Sequence, residues 1–270
     1  MPIKSGKKKR PRRVGIYGEP GAGKTSLAAH LKMLNFNPVW IDLDEGSGDM
    51  DVSRWEPGPT SWDELRQALH HKDLKNVDTI VVDSMTRAQT LCSEWVCNNV
   101  PHEKGKSIRR IEDYGFGKGF QHIYDTFLLL VGDLDALWRQ GKNIVTIMHE
   151  VIDDKPNPMG ADYISYEPAL QSPKSGKASI RNYVVGWLDE LIFIDIEKTA
   201  GDDGKARSSG ERRIYVSDQP FCKAKNRRRL DGDYPFEFGK PGILEKIFAP
   251  DGAPASKTSQ TTKEKEPANA

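Results

Sequence analysis

Gly18-Glu19-Pro20-Gly21-Ala22-Gly23-Lys24-Thr25 fits the phosphate-binding pattern G-x-x-x-x-G-K-[ST]. The residues on either side suit it. Val14-Gly15-Ile16-Tyr17 reads as a short buried strand leading in, and Thr25-Ser26-Leu27-Ala28-Ala29-His30-Leu31 opens an apolar helix leading out. Between such elements, glycines let backbone N–H groups close around a β-phosphate. The start of the helix adds a fixed partial positive charge. The run Gly18 to Ser26 is therefore the candidate nucleotide cradle. Lys24 is expected to reach the β- and γ-phosphates, and the Thr25 hydroxyl to bind Mg²⁺. This pattern in this setting implies a site for ATP with Mg²⁺.

Strands and helices alternate after that loop. Val39-Trp40-Ile41-Asp42-Leu43 reads as a second strand, and Ser61 with Glu64 forms a capping-box pattern at the start of a helix. Thr79-Ile80-Val81-Val82-Asp83 is a continuous apolar run ending in a carboxylate, as a central parallel strand should be. Two helical stretches follow. The second carries Phe120, Ile123, Tyr124, Phe127, Val131, Leu134 and Trp138 at helical spacing, with Gly141 placed to end it. Asn143-Ile144-Val145-Thr146-Ile147-Met148 is a fourth buried strand. The alternation predicts an α/β fold, with helices packed on a mostly parallel sheet.

Beyond residue 150 the texture changes. Residues 151–178, rich in Pro, Gly, Ser and Lys, read as a long mobile loop of the functional kind. Leu191 to Ile196, Arg213 to Val216 and Phe221 to Lys225 then look like antiparallel strands at the C-terminal edge, the first two flanking a polar turn over 199–210. The division expected is a basic disordered arm over 1–12, one domain over 13–249 and a disordered tail over 250–270.

The net charge of +1 is unevenly spread. Lys4, Lys7, Lys8, Lys9, Arg10, Arg12 and Arg13 supply seven positive charges before the first acid, leaving about −6 for the remainder. A basic arm on an acidic body can attract polyanions, or simply be solvated. Cys92, Cys97 and Cys222 form no C-x-x-C pair, which argues against a structural zinc site or a disulfide framework and suits a reducing cytoplasm. No apolar run approaches the roughly 18 residues of a membrane span, and no hydrophobic signal core opens the chain.

Four further features are candidates for chemistry. Asp83, at a strand end beside the loop, is placed to hold Mg²⁺ as the second metal residue. Ser84 follows it, where many motor-type ATPases carry a catalytic Glu. A water-activating carboxylate must then come from elsewhere, and Ile41-Asp42-Leu43-Asp44-Glu45-Gly46 offers Asp44 and Glu45 without choosing between them. His149 ends the fourth strand, where it can sense the γ-phosphate. Lys225 and Arg227 alternate along a strand, so both cations face one anionic target.

With these residues in view, the chain resembles the RecA-type ATPase core. Val81-Val82-Asp83-Ser84 looks like the Asp-Ser pair closing the second Walker strand, and Ile41-Asp42-Leu43-Asp44 like the strand whose end carries the catalytic Glu. Here either Asp44 replaces that Glu or Glu45 is shifted by one. Ala224-Lys225-Asn226-Arg227 resembles the Lys-x-Arg element of the RadA and DnaB branches. That resemblance implies that Lys225 and Arg227 contact the triphosphate of a neighbouring subunit in a ring or filament.

A nearer likeness is to short phage ATPases of the single-strand annealing group. It rests on Thr146-Ile147-Met148-His149-Glu150, Asp113-Tyr114-Gly115 and Val184-Val185-Gly186-Trp187, within a span of residues 12–248. It implies a DNA-stimulated ATPase in recombination, annealing or replication, with single-stranded DNA as partner. Two segments mix cations and aromatics as such a partner requires. They are His102 to Arg110 with Tyr114 and Phe116, and residues 155–177 with Lys155, Tyr163, Tyr166, Lys174 and Lys177. The alternatives are a nucleotide or small-molecule kinase and a non-hydrolysing ATP-gated adaptor such as a helicase loader.

Overall fold

The computed structural model describes residues 3, 5–6, 10–174, 176–200 and 206–249. Lys4, Lys7, Lys8 and Lys9 of the basic arm, and the whole 250–270 tail, lie outside the described residues.

β1 (Arg13–Gly18) leads through the glycine loop into α1 (Lys24–Ala29), which tightens into a 3₁₀ turn over His30–Leu34. β2 (Pro38–Asp42) and the two-residue β3 (Ser53–Arg54) follow, then α2 (Trp62–Leu69). Ser61 caps α2, accepting from the Glu64 N–H at 3.3 Å, while the Glu64 carboxylate reaches back one residue further than expected, to Thr60. β4 (Thr79–Asp83) feeds α3 (Met85–Asn99) and then the long α4 (Lys118–Arg139). β5 (Asn143–Lys155), β6 (Tyr163–Pro168), α5 (Ile180–Trp187), β7 (Glu190–Ala200), β8 (Ala206–Tyr215), β9 (Asp233–Pro235) and α6 (Ile243–Phe248) complete the order.

Among the described residues the sheet runs β3-β2-β4-β5-β1-β7-β8-β9, with β6 paired to β5. All pairings from β3 to β7 are parallel, and those of β7 with β8 and β8 with β9 are antiparallel. This is the RecA-like arrangement of a mostly parallel sheet with antiparallel strands at its C-terminal edge. β5 lies between the phosphate-loop strand and β4, so the ends of β1, β5, β4 and β2 line up across one edge.

Both faces of the sheet are covered, which is why its strands read as unbroken apolar runs. Ile80 and Val82 face α2, α3 and α4, against Leu65, Leu91 and Phe127. Val81 faces the other way, with Val14 and Ile16, against Leu27 and Leu31 on one side and Ile243 and Ile247 of α6 on the other. On α4, Ile123, Phe127, Val131 and Leu134 are buried as the helical spacing requires. Emptying the Phe127 position would cost about 3–5 kcal/mol.

Four expectations change. Residues 151–178 are not a loop throughout. β5 continues seven residues past Met148 and pairs antiparallel with β6, making a hairpin that projects from the carboxyl edge. It is held by ion pairs that no local pattern shows, Lys155 with Glu167 at 2.8 Å and Arg181 with Asp153. Phe221 to Lys225 form isolated bridges to Tyr166 and Leu191 rather than a strand. The 199–210 turn narrows, since β7 runs to Ala200 and β8 starts at Ala206. At the other end, Arg10 and Arg12 belong to the packed body. Arg10 pairs with Asp189, and Arg12 is buried, its N–H donating to Asn143 Oδ1 at 2.9 Å. Among the described residues, no helix is long and apolar enough to cross a membrane.

Candidate active site

The glycine loop closes over the end of β1 in a shape only glycine permits. Gly23 has φ +101°, and a Cβ there would lie 2.7 Å from the Phe236 ring. At Gly18 the chain runs so close to β7 that a Cβ would collide with the Ile194 carbonyl oxygen. Lys24 Nζ donates to the carbonyl oxygens of Gly18 and Glu19, both at 2.9 Å. Burial lowers the pKa of this lysine, against the opposing pull of Asp83, Glu150 and Asp44. Its ammonium rests on neutral carbonyls, which a phosphate oxygen would replace with a stronger charge-assisted bond.

Thr25 Oγ1 donates to Asp83 Oδ2 at 2.7 Å. Asp83 is 4% exposed, and burial, with Asp42 and Asp44 adding, raises its pKa to about 6. A hydroxyl and a carboxylate converging at the loop are hard oxygen donors of the kind Mg²⁺ takes. Among the described residues no group of three or more His, Cys, Asp or Glu gathers to hold a metal. The donors fit an ion that draws most of its ligands from phosphate and water.

Asp44 and His149 meet across the cleft, with Nε2 and Oδ2 3.2 Å apart. The meeting has local causes at both ends. Asp42 accepts backbone N–H bonds from Asp44, Gly46 and Ser47, folding residues 44–47 into a tight turn. Arg54 ties the far side of that turn to the carbonyls of Ser47, Gly48 and Met50. On the other side, the His149 N–H donates to Thr86 Oγ1 at 3.1 Å. Burial alone would raise the Asp44 pKa, but hydrogen bonds from His149 and Ser84, with Arg87 nearby, outweigh it and keep the carboxylate ionised. Glu45 is not brought in. It has φ +55° and lines a separate cleft of about 610 Å³ with Arg54, Trp55 and Arg87.

Lys225 and Arg227 lie elsewhere. Lys225 bridges Leu191, which pairs with Gly15 near the start of β1, so the two cations sit towards the amino end of the sheet. They do face one anion, and it is internal. Arg227 Nη1 is 3.2 Å from Asp189, Asp189 also acts on Lys225, and Lys225 Nζ donates to the Gly186 carbonyl.

Of the segments mixing cations and aromatics, Lys104, Lys106, Arg109 and Arg110 are exposed and Phe116 is entirely bare. Tyr114 is not available to a ligand, being buried with its hydroxyl on the carbonyls of Val96 and Val100. Tyr166 stacks on Phe193, and Lys155 is held by Glu167. Tyr163, Lys174 and Lys177 remain exposed.

Sequence reasoning passed over several residues of the site. Glu150, next to His149, is half-buried and raised in pKa by burial, and it acts on Lys24. Lys198 pairs with loop residue Glu19 at 2.9 Å. Thr86, Arg212 and Phe236 touch the site from positions carrying no motif. Only Glu150 had a usable signal, its place at the strand end.

A profile of the AAA domain matches residues 10–228. The chain belongs to the AAA-domain family. It is a nucleotide-binding domain of the P-loop ATPase type. Solved structures similar to it include the flagellar accessory protein FlaH from Methanocaldococcus jannaschii, at 11% identity and TM-score 0.43, over 84% of this chain and 85% of that one. An ATPase of the type III secretion system of pathogenic bacteria aligns at 14% identity and TM-score 0.36, over 69% of this chain and 52% of that one. The genome packaging NTPase B204 from Sulfolobus turreted icosahedral virus 2 aligns at 11% identity and TM-score 0.33, over 77% and 93%. No curated protein matches the sequence.

Proposed function

We propose that this domain is a Mg²⁺-dependent ATPase that assembles through its nucleotide sites and engages single-stranded DNA, in recombination, annealing or replication. The observation that carries the hydrolytic part is one convergence. Lys24, the Thr25–Asp83 pair and the Asp44–His149 pair all open onto the loop from the ends of β1, β4, β2 and β5. Thr25 and Asp83 would hold Mg²⁺, which supplies charge neutralisation to the transferring phosphoryl group. Lys24 exchanges its carbonyl partners for phosphate oxygens. Asp44, ionised and oriented by His149, accepts a hydrogen bond from the attacking water and positions it in line. His149 joins that carboxylate to the base of the β5–β6 hairpin, so the state of the γ-phosphate can reach the hairpin.

The exposed cations of residues 104–110, with bare Phe116, support a nucleic-acid contact through backbone charge and base stacking. Lys225, whose ammonium donates to the Gly186 carbonyl, lies towards the far end from its own loop, which supports a role at the phosphates of a second copy, whereas Arg227 is taken up by Asp189. Steady-state ATP turnover with Mg²⁺ or EDTA, with and without single-stranded DNA, across protein concentration, tests the reading. Turnover that needs Mg²⁺ and rises with DNA and concentration is expected. Turnover indifferent to DNA and concentration would remove the DNA-coupled, assembling part. Tight ATP binding with no turnover under any condition would leave a nucleotide switch instead.

A further inference from the structure

The nucleotide's direction in the site follows from where its γ end must lie. Asp83, Asp44 and His149 stand on the β4, β2 and β5 side of the loop. The nucleoside therefore leaves on the opposite side, over β7, β8 and β9. There, residues 236–239 are clamped beside the loop at three points. The Phe236 N–H donates to the Arg212 carbonyl at 3.0 Å, the Phe236 ring lies against Gly23, and the Gly239 N–H donates to His30 Nε2 at 3.0 Å. Arg212 is itself fixed to the loop, donating to the Gly21 carbonyl at 3.3 Å.

Held on this clamp, Phe238 is 59% exposed. The Arg212 guanidinium covers one of its faces at 4.9 Å, and Phe236 meets it edge-on with centroids 4.9 Å apart. Phe238 is thus an aromatic ring still largely exposed, held by two residues, Arg212 and Phe236, that themselves touch the phosphate loop. We infer that Phe238, backed by Arg212, is the stacking platform for the nucleotide base, and that it favours purines because a two-ring base covers more of the ring. The inference rests on the proposed triphosphate site and names its base-recognising half.

Calorimetric titration of the full chain with Mg-ATP, Mg-GTP, Mg-CTP and Mg-tripolyphosphate tests it. Wild type should bind both purine nucleotides tighter than CTP, and ATP about tenfold tighter than tripolyphosphate. Phe238→Ala should erase that tenfold advantage while leaving tripolyphosphate affinity unchanged, and Phe238→Trp should keep it. Phe238→Leu, which preserves apolar bulk without a π face, should behave as the alanine variant does. Equal binding of ATP and tripolyphosphate by wild type, or unaltered ATP affinity in Phe238→Ala, would overturn the platform while the loop reading survives. If wild type binds neither ATP nor tripolyphosphate, the triphosphate site and its platform fall together.

Discussion

The two ends of the parallel strands carry similar charges in opposite conditions. At the carboxyl end, Lys24 rests on neutral carbonyls and Asp83 on a hydroxyl, partners that a charged ligand can displace. Towards the amino end, Asp189 is fully buried and takes Arg10, Arg13 and Arg227 at 3.1–3.4 Å. Arg13 also lies 4.5 Å over the Trp138 ring, and Glu190 is buried 3.6 Å from Arg12. Charges matched by charges hold the chain's first strand to the sheet. At the loop, Lys24 and Asp83 are matched by dipoles that a phosphate or a metal ion can replace. A cation count along the sequence cannot tell these apart.

The largest effect expected comes from breaking the matched end. Asp189→Ala strips three guanidinium groups of a buried partner, and the loss of stability should be about 3–5 kcal/mol, read as a lower urea midpoint at unchanged m-value. A loss under about 1 kcal/mol would mean that the network is decorative. At the other end, Lys24→Ala should leave the urea midpoint nearly in place, because its partners are carbonyls that water can satisfy. It should lower Mg-ATP turnover about 10²–10³-fold. Turnover unchanged in that variant would take the loop out of the reaction.

What the sequence made legible is local. The strand, loop and helix around residues 18–25 follow from a contiguous motif. The Asp83 strand follows from an unbroken apolar run between two covered faces. The hairpin is not legible because Asp153, Asp154, Lys155, Pro156 and Pro158 have loop composition, while the partners that order it, Glu167 and Arg181, are distant in sequence. Asp44 stood level with Glu45 because a backbone turn pinned by Asp42 and Arg54 separates them. The alternation of Lys225 and Arg227 was readable, but the identity of their shared anion was not. Nothing in the sequence near Arg212 and Phe238 marks them as neighbours of the loop.

Glu190 sharpens the comparison through pH. Burial raises its pKa to about 7 from a model-peptide value of 4.5, against the opposing pull of Arg12. Between those two values the folded chain keeps a proton that the unfolded chain has released. Stability from this group therefore falls as pH rises from about 4.5 to 7 and is flat above, by at most about 3 kcal/mol. Glu190→Gln cannot titrate, so the gap between its urea midpoint and that of wild type should widen in the variant's favour across that window. Asp83, raised to about 6, slopes the same way in both proteins and cancels from the difference. A gap that stays constant with pH would show Glu190 to be ionised throughout and the Arg12 pairing dominant.

Lys225→Ala is the smallest change and the most discriminating. Its ammonium donates to the Gly186 carbonyl at 3.3 Å, while Asp189 keeps Arg10, Arg13 and Arg227. If the amino end is matched without it, the variant should lose less than about 1 kcal/mol of stability. A loss as large as that of Asp189→Ala would place Lys225 in the structural network and end its candidacy for chemistry. With stability intact, the rise of ATP turnover with protein concentration becomes the deciding measurement. Its disappearance in Lys225→Ala would mean that the lysine serves the phosphates of a second copy, a charge left loosely held in one subunit because its partner lies in the next. An unaltered rise would mean that assembly proceeds without this residue.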